Sequence, residues 1–173
     1  AGIFADMAVQ IPVAGVLPYR VNVPLWSDGA AKQRYLKLPA GGQLRFAPKK
    51  SWELPPATQL IKSFYLDGRI VETRLLIKRG TGTGWDGFSY QWDAEGKEAF
   101  LLEDGHTAVY EVPDGDGVRK HRHVFPSRLQ CGDCHTPAAG YILGWRTGQL
   151  NRDGQIEAWV RAGLFAGEVP AAD

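Results

Sequence analysis

Sulfur is scarce in this chain: two cysteines and one methionine among 173 residues. A disulfide framework is therefore excluded, and a chain of this length can bury a core without one. An excess of charge is also missing, since 20 Lys+Arg face 19 Asp+Glu for a net charge of +1. That balance excludes a basic stripe made for nucleic acid and an acidic block made for a cationic partner. No uncharged apolar run approaches the roughly 18 residues of a membrane span, so none is expected. The opening stretch, Ala1 to Val9, has neither a basic leader nor a long apolar segment. A secretion signal is thus expected to have been removed, or the chain to be a module of a larger one. No repeat or low-complexity tract is present, and no Ser-His-Asp, paired-carboxylate or H-E-x-x-H pattern supports a hydrolase. What remains, 44% hydrophobic and 23% charged, is the composition of an ordinary globular chain.

Both cysteines fall in one pentapeptide, Cys131-Gly132-Asp133-Cys134-His135. C-x-x-C-H is the spacing of covalent c-type haem attachment. Two thiols one helical turn apart reach the two vinyl groups and form thioethers, and the adjacent imidazole falls under the iron as its proximal ligand. Two other readings compete. A thioredoxin-type dithiol needs a strand-to-helix setting within a βαβ unit, which the surrounding pattern lacks. A structural zinc site needs four ligands, for which only His121 and His123 could join the cysteines. One covalent haem c is the expectation.

The first two-thirds of the chain reads as β. Gln43–Phe46 alternates polar and apolar. Residues 60–66 and 70–77 form two runs around Asp67-Gly68, a strong hairpin signal. Residues 88–92 and 99–102 form another pair across Ala94-Glu95-Gly96, and 107–112 is a further strand. Gly80–Gly84 reads as a loop that lacks the lysine and helix of a phosphate site. Short strands at this spacing predict a sandwich or barrel. The character changes near residue 123. Ser127 is a candidate helix N-cap leading into Arg128–Cys131, and 151–165 carries Ile156, Trp159 and Val160 at helical spacing. The expected architecture is mixed but mainly β, a β-rich part over 1–122 and a short helical, cytochrome-c-like haem-binding part over 123–173. Two helices are too few to wrap a haem alone, so both parts are expected to form a single unit.

Several segments together resemble a family of secreted bacterial haem c proteins with a β-rich region before the attachment motif. They are residues 18–34 (PYRVNVPLWSDGAAKQR), Glu72–Leu76, Tyr90-Gln91-Trp92, residues 125–135, Leu143-Gly144 and Gln149–Asn151. The resemblance covers most of the chain. It implies a periplasmic or secreted electron carrier with a redox protein as partner. Similar modules accompany polysaccharide degraders, which implies a copper polysaccharide monooxygenase as one such partner. Two rival classes stand beside electron transfer: an open-site haem enzyme or gas sensor, and a haem-bearing carbohydrate-binding module.

The distal iron ligand is less legible. Small cytochromes c place a ligating methionine after the motif, but no Met or His follows His135 here. The upstream candidates are Met7, His106, His121 and His123, with Met7 placed ahead of His123 because thioether ligation raises the potential. His121, inside Arg119–Arg122, is expected in solvent, and an open sixth position is a further alternative. Tyr141 and Trp145 are expected near the haem, and Arg128 and Arg146 are candidate partners of its propionates. Lys32, Arg34 and Glu72-Thr73-Arg74 read as a buried ion-pair network, and most of the six tryptophans as core.

Overall fold

Strand pairing begins where the hairpin signals are strongest. In the computed structural model, which describes residues 2–7, 9–80 and 84–170, β5 (Gln59–Leu66) and β6 (Arg69–Lys78) are joined at Asp67-Gly68. Both turn residues have positive φ, 46° and 76°, as a two-residue turn matching strand twist requires. The expected pair at 88–92 and 99–102 appears as β7 (Trp85–Trp92) and β8 (Ala99–Leu101). These four strands join β3 (Val16–Pro18) and β4 (Ala31–Lys37) in an antiparallel sheet of order β3-β4-β5-β6-β7-β8. Two small hairpins accompany it. The first pairs β1 (Phe4–Asp6) with β2 (Ile11–Pro12), and the second β9 (His106–Asp114) with β10 (Gly117–Phe125).

The chain is mainly β, as expected, with one six-stranded and two two-stranded antiparallel sheets; the six-stranded sheet does not close into a barrel, and the β9–β10 hairpin packs on it through Val112 and Tyr110. The main sheet is a meander whose outer strands β3 and β8 do not meet. Gln43–Phe46 is not a strand: Leu44 bridges singly to Phe165, and Arg45 to Glu53. The helical part begins at residue 128 instead of 123, because β10 runs through Phe125. Its elements are α1 (Arg128–Cys134), α2 (Thr147–Leu150) and α3 (Gln155–Arg161). The helix expected over 151–165 is shorter because Gly154 and Gly163 bracket it with φ of 70° and 71°, a left-handed conformation that ends a helix. Most of the glycine-rich loop, residues 81–83, lies outside the described residues.

Alternation of side chains divides the sheet into two faces. On one face, register aligns the row Leu36–Leu60–Leu76–Gly87, the row Arg34–Lys62–Arg74–Ser89, and the row Lys32–Phe64–Glu72–Gln91. The helical part covers the first row: Leu36 and Leu60 pack in one cluster with Trp52, Trp145, Leu150 and Trp159. Trp145 is 1% exposed and stacks on Trp159 at 6.0 Å. Burial of such indoles is the main stabilising force between sheet and helices. On the opposite face Tyr35, Ile61 and Leu75 carry the N-terminal segment through Ile3, Phe4 and Val13. Among the described residues no helix is long and apolar enough to cross a membrane.

Candidate functional site

Helix α1 is held at both ends by local chemistry. Ser127 Oγ accepts the Gln130 N–H at 3.2 Å, and Gln130 Oε1 accepts the Ser127 N–H at 2.9 Å. This reciprocal capping box supplies partners for amides that a helix start leaves unpaired. The expected N-cap is therefore the observed one. Gly105 lies so close that a Cβ there would stand 2.7 Å from Gln130 Oε1 and from the Ser127 nitrogen. At the other end His135 caps the helix, its N–H reaching the Cys131 carbonyl at 3.1 Å.

Cys131 and Cys134 sit one turn apart on this helix, both as free thiols. Cys131 presses on the sheet at Gly87: a Cβ on that glycine would meet the Cys131 Cβ at 2.8 Å and its Sγ at 2.9 Å. The approach is possible because residue 87 is glycine. Burial raises the pKa of the Cys131 thiol, opposed by the charge of Arg74. His135 donates from Nδ1 to the Tyr141 carbonyl. That bond fixes the tautomer and leaves Nε2 as a bare lone pair, the arrangement of a ligating histidine whose other nitrogen is held by a carbonyl. Among the described residues nothing else hydrogen-bonds to this ring. Burial lowers the His135 pKa, opposed by the Tyr141 contact, with Lys62 and Arg74 adding repulsion.

Cys131, Cys134 and His135 border one cavity of about 550 Å³, within the range that takes a sizeable organic ligand. Its walls are the cavity face of the sheet, α1, residues 142–145 and the loop Val23–Trp26. Val23, Leu25 and Trp26 are 72%, 66% and 75% exposed, three neighbouring apolar side chains at the rim of one cavity. The floor carries the row of cations. Arg34, Lys62 and Arg74 stand directly opposite one another on adjacent strands and all border the cavity. Burial, then Arg34, Arg74 and Lys32 in that order, push the Lys62 amine from 10.5 down to about 8. Ser89, next in the row, is buried with its Oγ unpartnered among the described residues.

The residues present fit a haem c. Two accessible sulfurs, an imidazole with a free Nε2 and an apolar cavity with a cationic floor all meet in one place. No group of three or more His, Cys, Asp or Glu side chains suited to hold a bare metal ion exists among the described residues. The zinc reading needs such a group; haem iron does not, because the porphyrin supplies four of its ligands.

Other sequence expectations divide. Of the two residues expected near a haem, Tyr141 meets His135 through its carbonyl, and Trp145 borders the cavity. Met7 and His123, the two distal-ligand candidates, are not among the residues that border it. Met7 follows β1 in the segment packed on the opposite face of the sheet, and is 43% exposed. His123 is 3% exposed, and its Nε2 meets Glu72 Oε2 at 2.8 Å. His106 stacks on Phe125 at 4.7 Å, and His121, expected in solvent, is buried. Arg128 lies over the Phe88 ring at 4.5 Å, and Arg146 borders a second cavity, so neither faces the first. The ion-pair network exists in part: Glu72, fully buried, accepts from Arg74 Nε and Nη2 at 2.7 and 2.9 Å as well as from His123. Arg34 is outside it, and Lys32 instead donates to the Leu25 carbonyl at 2.7 Å. Trp52, Trp92, Trp145 and Trp159 are buried, which leaves no row of exposed indoles for sugar stacking. Comparison with protein-family models, curated proteins and solved structures finds no match to this chain.

Proposed function

We propose that this chain is a monohaem c-type cytochrome that carries single electrons, periplasmic or secreted, with a redox protein as its partner. The observation that carries the reading is the convergence of Cys131, Cys134 and His135 on one apolar cavity, with His135 Nδ1 already bound to the Tyr141 carbonyl. Cys131 and Cys134 would hold the group through thioethers, and His135 Nε2 would ligate iron. A haem bound there supplies one-electron chemistry between ferric and ferrous iron. The protein's part is to hold the imidazole in one tautomer, to keep water from the buried side through Trp145 and Leu60, and to balance charge with the cationic floor. The resemblance implies a copper polysaccharide monooxygenase as one such partner.

Acid–acetone extraction of the purified holoprotein tests the cofactor. The colour should stay with the chain, and the intact mass should exceed the polypeptide by one haem. Colour that extracts fully would refute covalent attachment.

A second reading, an open-site haem that binds a gas or peroxide, is favoured by one observation. Among the described residues no methionine, and no histidine other than His135, borders the cavity. Optical spectra separate the two readings. Electron transfer requires low-spin bands in both oxidation states and slow uptake of carbon monoxide; a high-spin ferrous form that takes up carbon monoxide at once supports the open site.

A further inference from the structure

Like charges directly opposite one another on neighbouring strands destabilise a sheet. The row Arg34–Lys62–Arg74 places three of them side by side on the floor of an apolar cavity. Arg74 is accounted for, since Glu72 holds its guanidinium through two bonds. Among the described residues neither Arg34 nor Lys62 makes an ion pair with a carboxylate, and Glu72, committed to Arg74 and His123, only weakly offsets the forces that lower the Lys62 amine; each is partly buried, and each faces the other. A pair of cations kept in this position calls for an anionic ligand with two negative groups, or one group shared between them.

The layout of the sheet says which end of the ligand they meet. Cys131, the first attachment thiol, packs on Gly87 of β7. From β7 to β4, where Arg34 sits, is three strand spacings, about 14 Å at the usual separation. That is the order of a porphyrin's span from its vinyl edge to its carboxylates. Arg74, on β6, is too near the attachment point, and its influence on the Cys131 thiol reflects this. Lys62 on β5 and Arg34 on β4 lie at the far end.

We propose that Arg34 and Lys62 seat the two propionate carboxylates of the haem, so that the porphyrin lies across the sheet with its thioether edge at β7 and its carboxylate edge at β4 and β5. The proposal rests on the haem reading above. It replaces Arg128 and Arg146 as propionate partners, and it makes the carboxylates inward groups neutralised by the sheet. Arg34 and Lys62 are positioning residues: they fix the orientation of the group that Cys131, Cys134 and His135 hold.

The test uses holoprotein carrying haem enriched with carbon-13 at the propionate carboxyls, titrated in the ferrous state by carbon NMR. In the wild type at least one carboxyl should titrate well below the ordinary carboxylate range. In Arg34→Gln or Lys62→Gln that carboxyl should bind its proton about tenfold more tightly, the loss of one neighbouring cation. Lys62→Arg, which keeps the charge, should retain the wild-type titration, while Arg128→Gln and Arg146→Gln should leave it unmoved. Carboxyls that titrate normally in the wild type overturn the proposal whatever the variants do. So does a titration moved by Arg128→Gln or Arg146→Gln and not by the other two. If acid–acetone removes the colour, the haem reading itself fails; if the colour stays and the carboxyls are ordinary, only the orientation fails.

Discussion

The cationic floor should weaken the fold wherever no anion neutralises it, and Lys62→Met measures by how much. The suitable background is a haem-free chain in which Cys131 and Cys134 are serine. Lys62 is lowered from 10.5 to about 8, chiefly by burial and then by Arg34 and Arg74. At about 1.4 kcal/mol per pKa unit, a shift of that size has a ceiling of roughly 3 kcal/mol. The side chain is only partly buried, so screening by water reduces this to about 1–2 kcal/mol. Below pH 8 the amine is charged in both folded and unfolded chains, and the whole cost is present. Between about 8 and 10.5 the folded chain has released the proton and the unfolded one has not, so the unfolded state binds more protons and stability rises with pH. Methionine keeps the length of the stem and removes the charge. Urea denaturation at pH 7 should therefore find Lys62→Met more stable than its background by about 1–2 kcal/mol. By pH 9.5 the gap should narrow as the lysine chain recovers. Staying below pH 10 matters, because burial also raises the hydroxyls of Tyr19 and Tyr65, the latter to about 12. Those groups lower stability above their unfolded values. A Met variant less stable at pH 7, or one with an unchanged pH dependence, would refute the argument.

Three further outcomes are expected. Glu72→Ala should cost about 3–5 kcal/mol in urea denaturation, since it strips Arg74 and His123 of a fully buried carboxylate. Gly87→Ala should lower the fraction of chains carrying haem by intact mass, with the strand signal in circular dichroism retained, because the new methyl would stand 2.8 Å from Cys131 Cβ and force α1 off the sheet. Met7→Ala should leave the optical spectrum and reduction potential unchanged, since Met7 follows β1 in the segment on the far face of the sheet; a high-spin shift in that variant would mean the N-terminal segment reaches the cavity after all.

The sequence made some elements plain and hid others for reasons visible in the structure. The hairpin at Asp67-Gly68, the β7–β8 pair and the Ser127 cap were legible because each rests on chemistry within a few residues. β4 was not. Its run AKQRYLK puts Lys32 and Arg34 on the face where a core strand would carry apolar side chains, so the alternation that marks a strand is masked by the charges of the site. β10 was hidden in the same way, because its buried positions are His121, His123 and Phe125 among arginines and lysines. The predicted barrel failed at a different level. Strand spacing can suggest closure, yet only pairing decides it, and β3 and β8 do not pair.

The same distinction explains the candidate site. Cys131, Cys134 and His135 were legible because three groups in five residues need only one helical turn to come together. Which charged side chains reach the cavity depends on the face of the sheet they occupy, and a shift of one position reverses that. Lys62 lies in the cationic row with Arg34 and Arg74, while its neighbour Ile61 packs in the cluster with Ile3, Tyr35 and Leu75. Arg128 and Arg146 are closer to the attachment motif in sequence than Arg34 and Lys62, but the register of β4, β5 and β6 places the latter pair on the cavity floor. Proximity along the chain is thus a good guide to Cys131, Cys134 and His135, which are local, and a poor one to the cationic floor, which the register of three strands assembles. A charged row on the buried face of a strand, unfavourable for the sheet by itself, is the signal to seek when the far side of such a cavity has to be found.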